Sequence, residues 1–262
     1  MTDASLRPPR VVLVSGASGG LGSAAALRLA DDYDAIVLVA RTSEKLEAVA
    51  QQIRGRRRKA LVLPLDLRLT DAAEAAVAAA MAAFGRLDGL AAIAGAVSQA
   101  DLFELDEAAW ADALALKFHS ARRLTLAAWP HLKATGGAVV ITSGATALAP
   151  TAALGAVSTI NAFITALAKA FADRGAKDGV RVNSLLPGPV LTDRRRKMIA
   201  RFAAARGLGA DEAIPIFEKE AGILRYGTPE EVAEVYAWLL SPAARWVHGA
   251  SIRIDGGEAK AV

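Results

Sequence analysis

Short continuous apolar runs alternate along this chain with Ala-rich stretches whose apolar positions recur at helical spacing. The runs are Val11–Val14, Ala35–Ala40, Ala60–Leu65, a segment ending in Ala92-Ile93-Ala94-Gly95, Ala138–Thr142, Arg181–Pro187 and the late HGASIRIDGG. Apolar residues that follow one another without alternation are expected of strands buried on both faces of a parallel sheet. The intervening stretches predict helices over roughly 21–30, 71–84, a long one beginning at Trp110, about 154–173, and one capped by Thr228 with Pro229 in its first turn. Regular alternation of the two patterns, with no linker or internal repeat, predicts one α/β domain over residues 1–262 with a doubly wound parallel sheet.

Composition narrows the chemistry. A chain of 262 residues that is 53% hydrophobic can bury one large core. It contains no cysteine, which excludes disulfides, thiolate metal sites and a Cys nucleophile, and His119, His131 and His248 have no ligand spacing, so no metal is expected. No apolar run reaches the roughly 18 residues that span a bilayer, and residues 1–10 lack the apolar core of a signal peptide. A cytoplasmic protein without membrane contact is the expectation. The formal charge of +4 is uneven, with clusters at Arg54–Lys59 and Arg194–Lys197. Neither is interleaved with aromatic residues, so both read as solvated faces and not as nucleic-acid sites.

The most informative stretch is VVLVSGASGGLG, Val11–Gly22. A buried strand runs into a turn in which Gly16, Gly20 and Gly22 allow positive φ, close approach of a ligand and tight packing of the next helix. That helix, opening at Leu21, points its N-terminal N–H groups and positive dipole end at a pyrophosphate. At the end of the second strand an acidic side chain would bind ribose hydroxyls, whereas an arginine pairs with a 2′-phosphate. The sequence there is Ala40-Arg41-Thr42, and with Ser18 in the turn as a further donor it reads as NADP(H) over NAD(H).

The spacing G-x-x-x-G-x-G resembles that of the short-chain dehydrogenase/reductase family, and the resemblance runs from Val11 to Gly257 through the Pro187-Gly188 turn of RVNSLLPGPVLT and the terminal IDGG. It implies a Rossmann-type seven-stranded sheet in the order 3-2-1-4-5-6-7. It places Asp66 and Leu67 at the adenosine, Ala94 and Gly95 close to the cofactor, and Pro187, Gly188, Val190 and Thr192 around the nicotinamide carboxamide. Residues from Asp193 to about Gly222 become a substrate lid whose Arg194, Arg195, Arg196 and Lys197 suit a phosphorylated or carboxylated ligand. A homo-dimer or homo-tetramer is implied, formed through the last strand and preceding helix, where Tyr236, Trp238, Leu239 and Leu240 fit a subunit contact or an ordinary core face.

Where the resemblance places its chemistry, this sequence departs from it. The family's four catalytic positions, Asn, Ser, Tyr and Lys, fall on Lys117, Gly144, Val157 and Asn161. Its usual Asn-Asn-Ala-Gly after the fourth strand is Ala92-Ile93-Ala94-Gly95 here, which removes two amides that stitch the central strands. The tyrosines are Tyr33, Tyr226 and Tyr236, and no lysine lies between Lys133 and Lys169. Ser143, Ser158 and Thr146 are the hydroxyls near the vacated Ser and Tyr positions. Asn and Lys have exchanged places at 117 and 161, so the ammonium is expected from the neighbouring helix. Candidate catalytic residues are Ser143, Lys117 and Asn161. Three functions follow: an NADP(H)-dependent oxidoreductase of a small carbonyl or hydroxyl compound with an atypical site, a catalytically silent NADP(H)-binding sensor or partner subunit, and a non-redox enzyme on the same fold.

Overall fold

The computed structural model describes residues 8–97 and 101–260. Seven strands, β1 (Val11–Ser15), β2 (Ala35–Ala40), β3 (Lys59–Pro64), β4 (Gly89–Ala92), β5 (Ala138–Thr142), β6 (Arg181–Pro187) and β7 (Ser251–Ile254), form one sheet in the order β3-β2-β1-β4-β5-β6-β7. Every neighbouring pair is parallel. The expected order and the continuous apolar strands are therefore found together.

The pleat divides the core into two layers. Val12 and Val14 of β1 face α1 (Gly20–Leu29), α2 (Ser43–Gly55) and α9 (Pro229–Leu240), packing with Leu29, Leu46, Ile53 and Tyr236. Val11 and Leu13 face α3 (Ala72–Phe84), α5 (Ser120–Thr135) and α6 (Gly155–Asp178), packing with Ala76, Leu124 and Ile164.

The long helix expected from Trp110 starts earlier, in α4 (Glu107–Ala113), because the Asp106 carboxylate accepts the Ala109 N–H at 2.7 Å. It continues through a π-helical turn, Leu114–His119, before α5. α6 runs past residue 173 to Asp178, whose carboxylate is held by Trp129, Lys133 and Arg174, and Gly179 then ends it at φ 72°. Together with the 3₁₀ turn before it, Ala152–Asp178 is long and apolar enough to cross a membrane, yet its apolar face lies on the sheet through Ile164, Ala168 and Ala172.

Two surface segments are placed in more detail. Tyr236, Leu239 and Leu240 are buried within this subunit, and Trp238 alone of the four named residues is exposed, at 40%. In the basic run, Arg56 pairs with Asp31 and Arg58 with Asp34, tying the α2–β3 connection to the α1–β2 corner, while Arg54 pairs with Glu47 within α2.

Candidate functional site

The glycine turn is shaped by backbone contacts. Gly16 and Gly20 have φ of 72° and 56°, a region costly for side chains, and a Cβ on Gly22 would lie 2.1 Å from the Gly16 carbonyl oxygen. A Cβ on Gly16 would meet Ala94 at 2.9 Å, so β1 and the end of β4 touch. Ser15 Oγ accepts the Ile93 and Ala94 N–H groups at 2.9 and 3.0 Å. That hydroxyl makes the connection left without Asn side chains, and its place at the end of β1 beside β4 is the sequence signal for it. α1 carries no acidic residue in its first turn. Ser18 and Leu21 are half-buried at its start.

At the far end of β2, Thr42 is the N-cap of α2, which leaves Arg41 outside the helix and exposed. Among the described residues Arg41 forms no hydrogen bond or ion pair. Asp66 accepts from the Arg68 N–H at 3.1 Å, and Leu67 is buried. The Arg68 guanidinium also clamps Asp112 on α4, holding that carboxyl below its usual range, with Arg41 adding to the effect. This Arg68–Asp112 pair was not foreseen from the sequence, since nothing in the spacing joins residues so far apart.

On the other side of β1, Gly188 packs on Asp255 so closely that a Cβ would meet it at 2.6 Å. Pro187 ends β6, and Val190 bridges to Gly227. Thr192 accepts the Arg195 N–H at 3.3 Å and caps α7 (Asp193–Ala205). Its methyl lies 3.5 Å from where a Gly20 Cβ would be, so the base of the α7–α8 segment (α8, Ala210–Ala221) rests on the glycine turn.

At the C-terminal end of β5 three candidate residues converge. Lys117, in the π turn, donates from Nζ to Asn161 Oδ1 and to the Ser143 carbonyl, the latter at 3.0 Å. Asn161 Nδ2 donates to Thr146 Oγ1 at 2.8 Å, and Ser143 Oγ donates to the Asn161 carbonyl at 2.7 Å. Ser143 and Asn161 are 4% and 3% exposed. Burial pushes the Lys117 ammonium down to about 8, because a low-dielectric surrounding disfavours the charged form. The Gly95 backbone leans on the Lys117 stem, and a Cβ there would come within 3.0 Å of it.

Val157 lies one turn before Asn161 on α6 and, like Leu105, Trp110 and Leu114, packs against the buried cluster of Val97, Ala113, Ala156 and Ile160. Ser158 is buried, and its hydroxyl has no partner among the described residues. The tyrosines bond elsewhere or lie elsewhere: Tyr33 to the Leu240 carbonyl, Tyr236 to Thr142 Oγ1, and Tyr226 in the cluster beneath α7 and α8.

This geometry, a close-packed glycine turn and a buried polar cluster at the C-terminal ends of the central strands of a seven-stranded parallel sheet, can be set against known proteins. A family profile described as enoyl-(acyl carrier protein) reductase matches residues 16–258. A cis-4-hydroxycyclohexanecarboxylate dehydrogenase from Sinomonas cyclohexanicum is 34% identical over 250 residues, covering 95% of this chain and 96% of its own. The chain belongs to the short-chain dehydrogenase/reductase family. Among solved structures of short-chain reductases, the L-sorbose reductase of Gluconobacter frateurii, complexed with NADPH and L-sorbose, superposes with a TM-score of 0.93 at 27% identity, over 97% of this chain and 98% of that one. An actinorhodin polyketide ketoreductase variant with NADPH gives 0.89 at 25% identity, over 96% and 98%.

Proposed function

We propose that this protein is an NADP(H)-dependent short-chain reductase of a small carbonyl compound, working in the cytoplasm with an active site rebuilt around Lys117. The contact that carries this reading is Lys117 Nζ on Asn161 Oδ1, which puts an ammonium beside the position from which the family supplies one. The glycine turn fits the cofactor: it is open on its outer side, close-packed behind, and faced by helix N–H groups with no acidic side chain in the first turn. Exposed Arg41, which forms no hydrogen bond or ion pair among the described residues, suits a 2′-phosphate.

Gly16, Ser18, Gly20, Leu21 and Gly22 would hold the pyrophosphate, Arg41 and Thr42 the 2′-phosphate end, Asp66 and Leu67 the adenosine. Ala94, Gly95, Pro187, Gly188, Val190 and Thr192 would border the nicotinamide. NADPH supplies, when bound, a hydride for the carbonyl carbon. Lys117 orients the ribose from the π turn, and Asn161 and the Ser143 carbonyl hold its ammonium in place. Arg194, Arg196 and Lys197 are exposed on α7 and suit an anionic substrate.

Val157 has no proton to give, and this favours a second reading, an NADP(H)-binding protein that is catalytically silent. Calorimetric titration with NADPH and NADH, followed by a screen of ketones and aldehydes, tests both. Tight NADPH binding with turnover supports the first reading, and tight binding without turnover on any carbonyl supports the second. Failure of NADPH to bind overturns both.

A further inference from the structure

The polar cluster at the end of β5 has a direction fixed by chemistry. An ammonium can only donate, so the Asn161 atom facing Lys117 Nζ must be its carbonyl oxygen, and the amide nitrogen must face Thr146. An amide nitrogen can only donate in turn, so Thr146 Oγ1 accepts from it and its own proton is left for another acceptor. Among the described residues none receives that proton. The other hydroxyls differ: Ser143 donates to the Asn161 carbonyl, and Ser158 is 1% exposed and cannot reach a ligand in the cleft. Thr146 is half-buried, in the 3₁₀ turn Ala145–Ala147 that follows Gly144.

We propose that Lys117 and Asn161 are positioning residues for Thr146, whose hydroxyl donates a hydrogen bond to the carbonyl oxygen of the substrate. This assignment rests on the reductase reading above and adds to it the residue that touches the substrate. Lys117 fixes the Asn161 amide, and the fixed amide, by donating to Thr146 Oγ1, leaves the Thr146 proton free to donate. A hydroxyl polarised this way stabilises the negative charge growing on the substrate oxygen as hydride reaches the carbonyl carbon; it is not itself the acid, and the alkoxide takes its proton from solvent water.

The test uses the whole protein with NADP⁺ and 4-oxocyclohexanecarboxylate carrying ¹³C at the ketone, a dead-end pair in which no hydride moves. The ketone is the oxidised counterpart of the compound named for the Sinomonas relative. Isotope-edited infrared spectroscopy reads the carbonyl stretch, and fluorescence titration reads NADP⁺ affinity. The band is expected to shift to lower wavenumber in the wild type and in Thr146→Ser, and to lose that shift in Thr146→Val, with NADP⁺ affinity equal in all three. In turnover with NADPH, Thr146→Val should lower kcat by about 100-fold with little change in KM, as for loss of one oxyanion donor. A shift that survives in Thr146→Val, or is absent from the wild type, overturns the assignment. Weakened NADP⁺ binding in Thr146→Val makes the hydroxyl structural and overturns it as well. Failure of the wild type to bind NADP⁺ strikes the reductase reading itself.

Discussion

The side-chain amide of Asn161 occupies the space a side chain on residue 144 would need: a Cβ on Gly144 would lie 2.5 Å from Asn161 Nδ2 and 3.1 Å from its Cγ. The backbone at Gly144 is extended, with φ 176°, so its conformation does not call for glycine; the amide does. Gly144→Ser is expected to destabilise the fold by about 1–3 kcal/mol, the usual range for overpacking. Asn161→Ala in the same chain should recover most of that loss, and urea unfolding of the two single variants and the double one measures the coupling.

The same packing dictates how the family's residues have to be restored. Asn161→Lys alone sets two ammonium groups side by side, and each disfavours the charged form of the other. Val157→Tyr with Asn161→Lys should gain ketone reductase activity only when Lys117→Asn and Gly144→Ser accompany them. Activity in the four-fold variant no higher than in the wild type would show that the site departs from the family elsewhere.

Arg41→Ala should weaken NADPH binding tenfold or more and leave NADH nearly unchanged, since a charge-assisted contact to phosphate is worth about 1.5–3 kcal/mol. Calorimetry with both cofactors gives the comparison. Equal losses would make Arg41 a structural residue.

Lys117 titrates near pH 8 in the folded chain against 10.5 for an ordinary lysine. Between those values the unfolded chain binds the extra proton, so the contribution of this group to stability grows as pH rises through the window and is lost as pH falls back through about 8. Lys117→Met should abolish this rise, on the order of 3 kcal/mol, in denaturation curves recorded at each pH. If Lys117 holds the ribose as a cation, NADPH affinity should also fall as pH rises through about 8, and Lys117→Met should bind NADPH weakly at every pH.

Ser15→Ala leaves the Ile93 and Ala94 N–H groups without their acceptor. A cost of about 2 kcal/mol is expected in thermal or urea unfolding, in the range for buried donors left unpaired. Restoring the Asn pair through Ile93→Asn is not expected to compensate, because Ile93 belongs to the apolar layer shared with α1 and α9.

Much of the fold was legible because continuous apolar runs, the glycine turn and the Thr228-Pro229 cap are local signals. β2, β5 and β6 fall on the predicted residues. The departures differ in kind: Asp106 starts α4 ahead of Trp110 through a local cap three residues away, whereas contacts from Trp129 and Lys133, remote in sequence, anchor Asp178 and extend α6. The approach of Lys117 to Asn161 could be read from their exchanged types. Thr146 could be read as a hydroxyl near the vacated Ser position, but not where its proton is left, since that depends on the orientation of an amide; the Arg68–Asp112 clamp, a contact between remote segments, could not be read at all.

Thr192 sits at a junction with a further consequence. One side chain both caps α7 and rests against the glycine turn at Gly20. A swing of the α7–α8 segment about this point strips the helix of its cap in the same motion that uncovers the turn. Unbinding and helix fraying then become a single event, and one threonine at the nicotinamide end also governs how long the other end of the ligand stays in the turn.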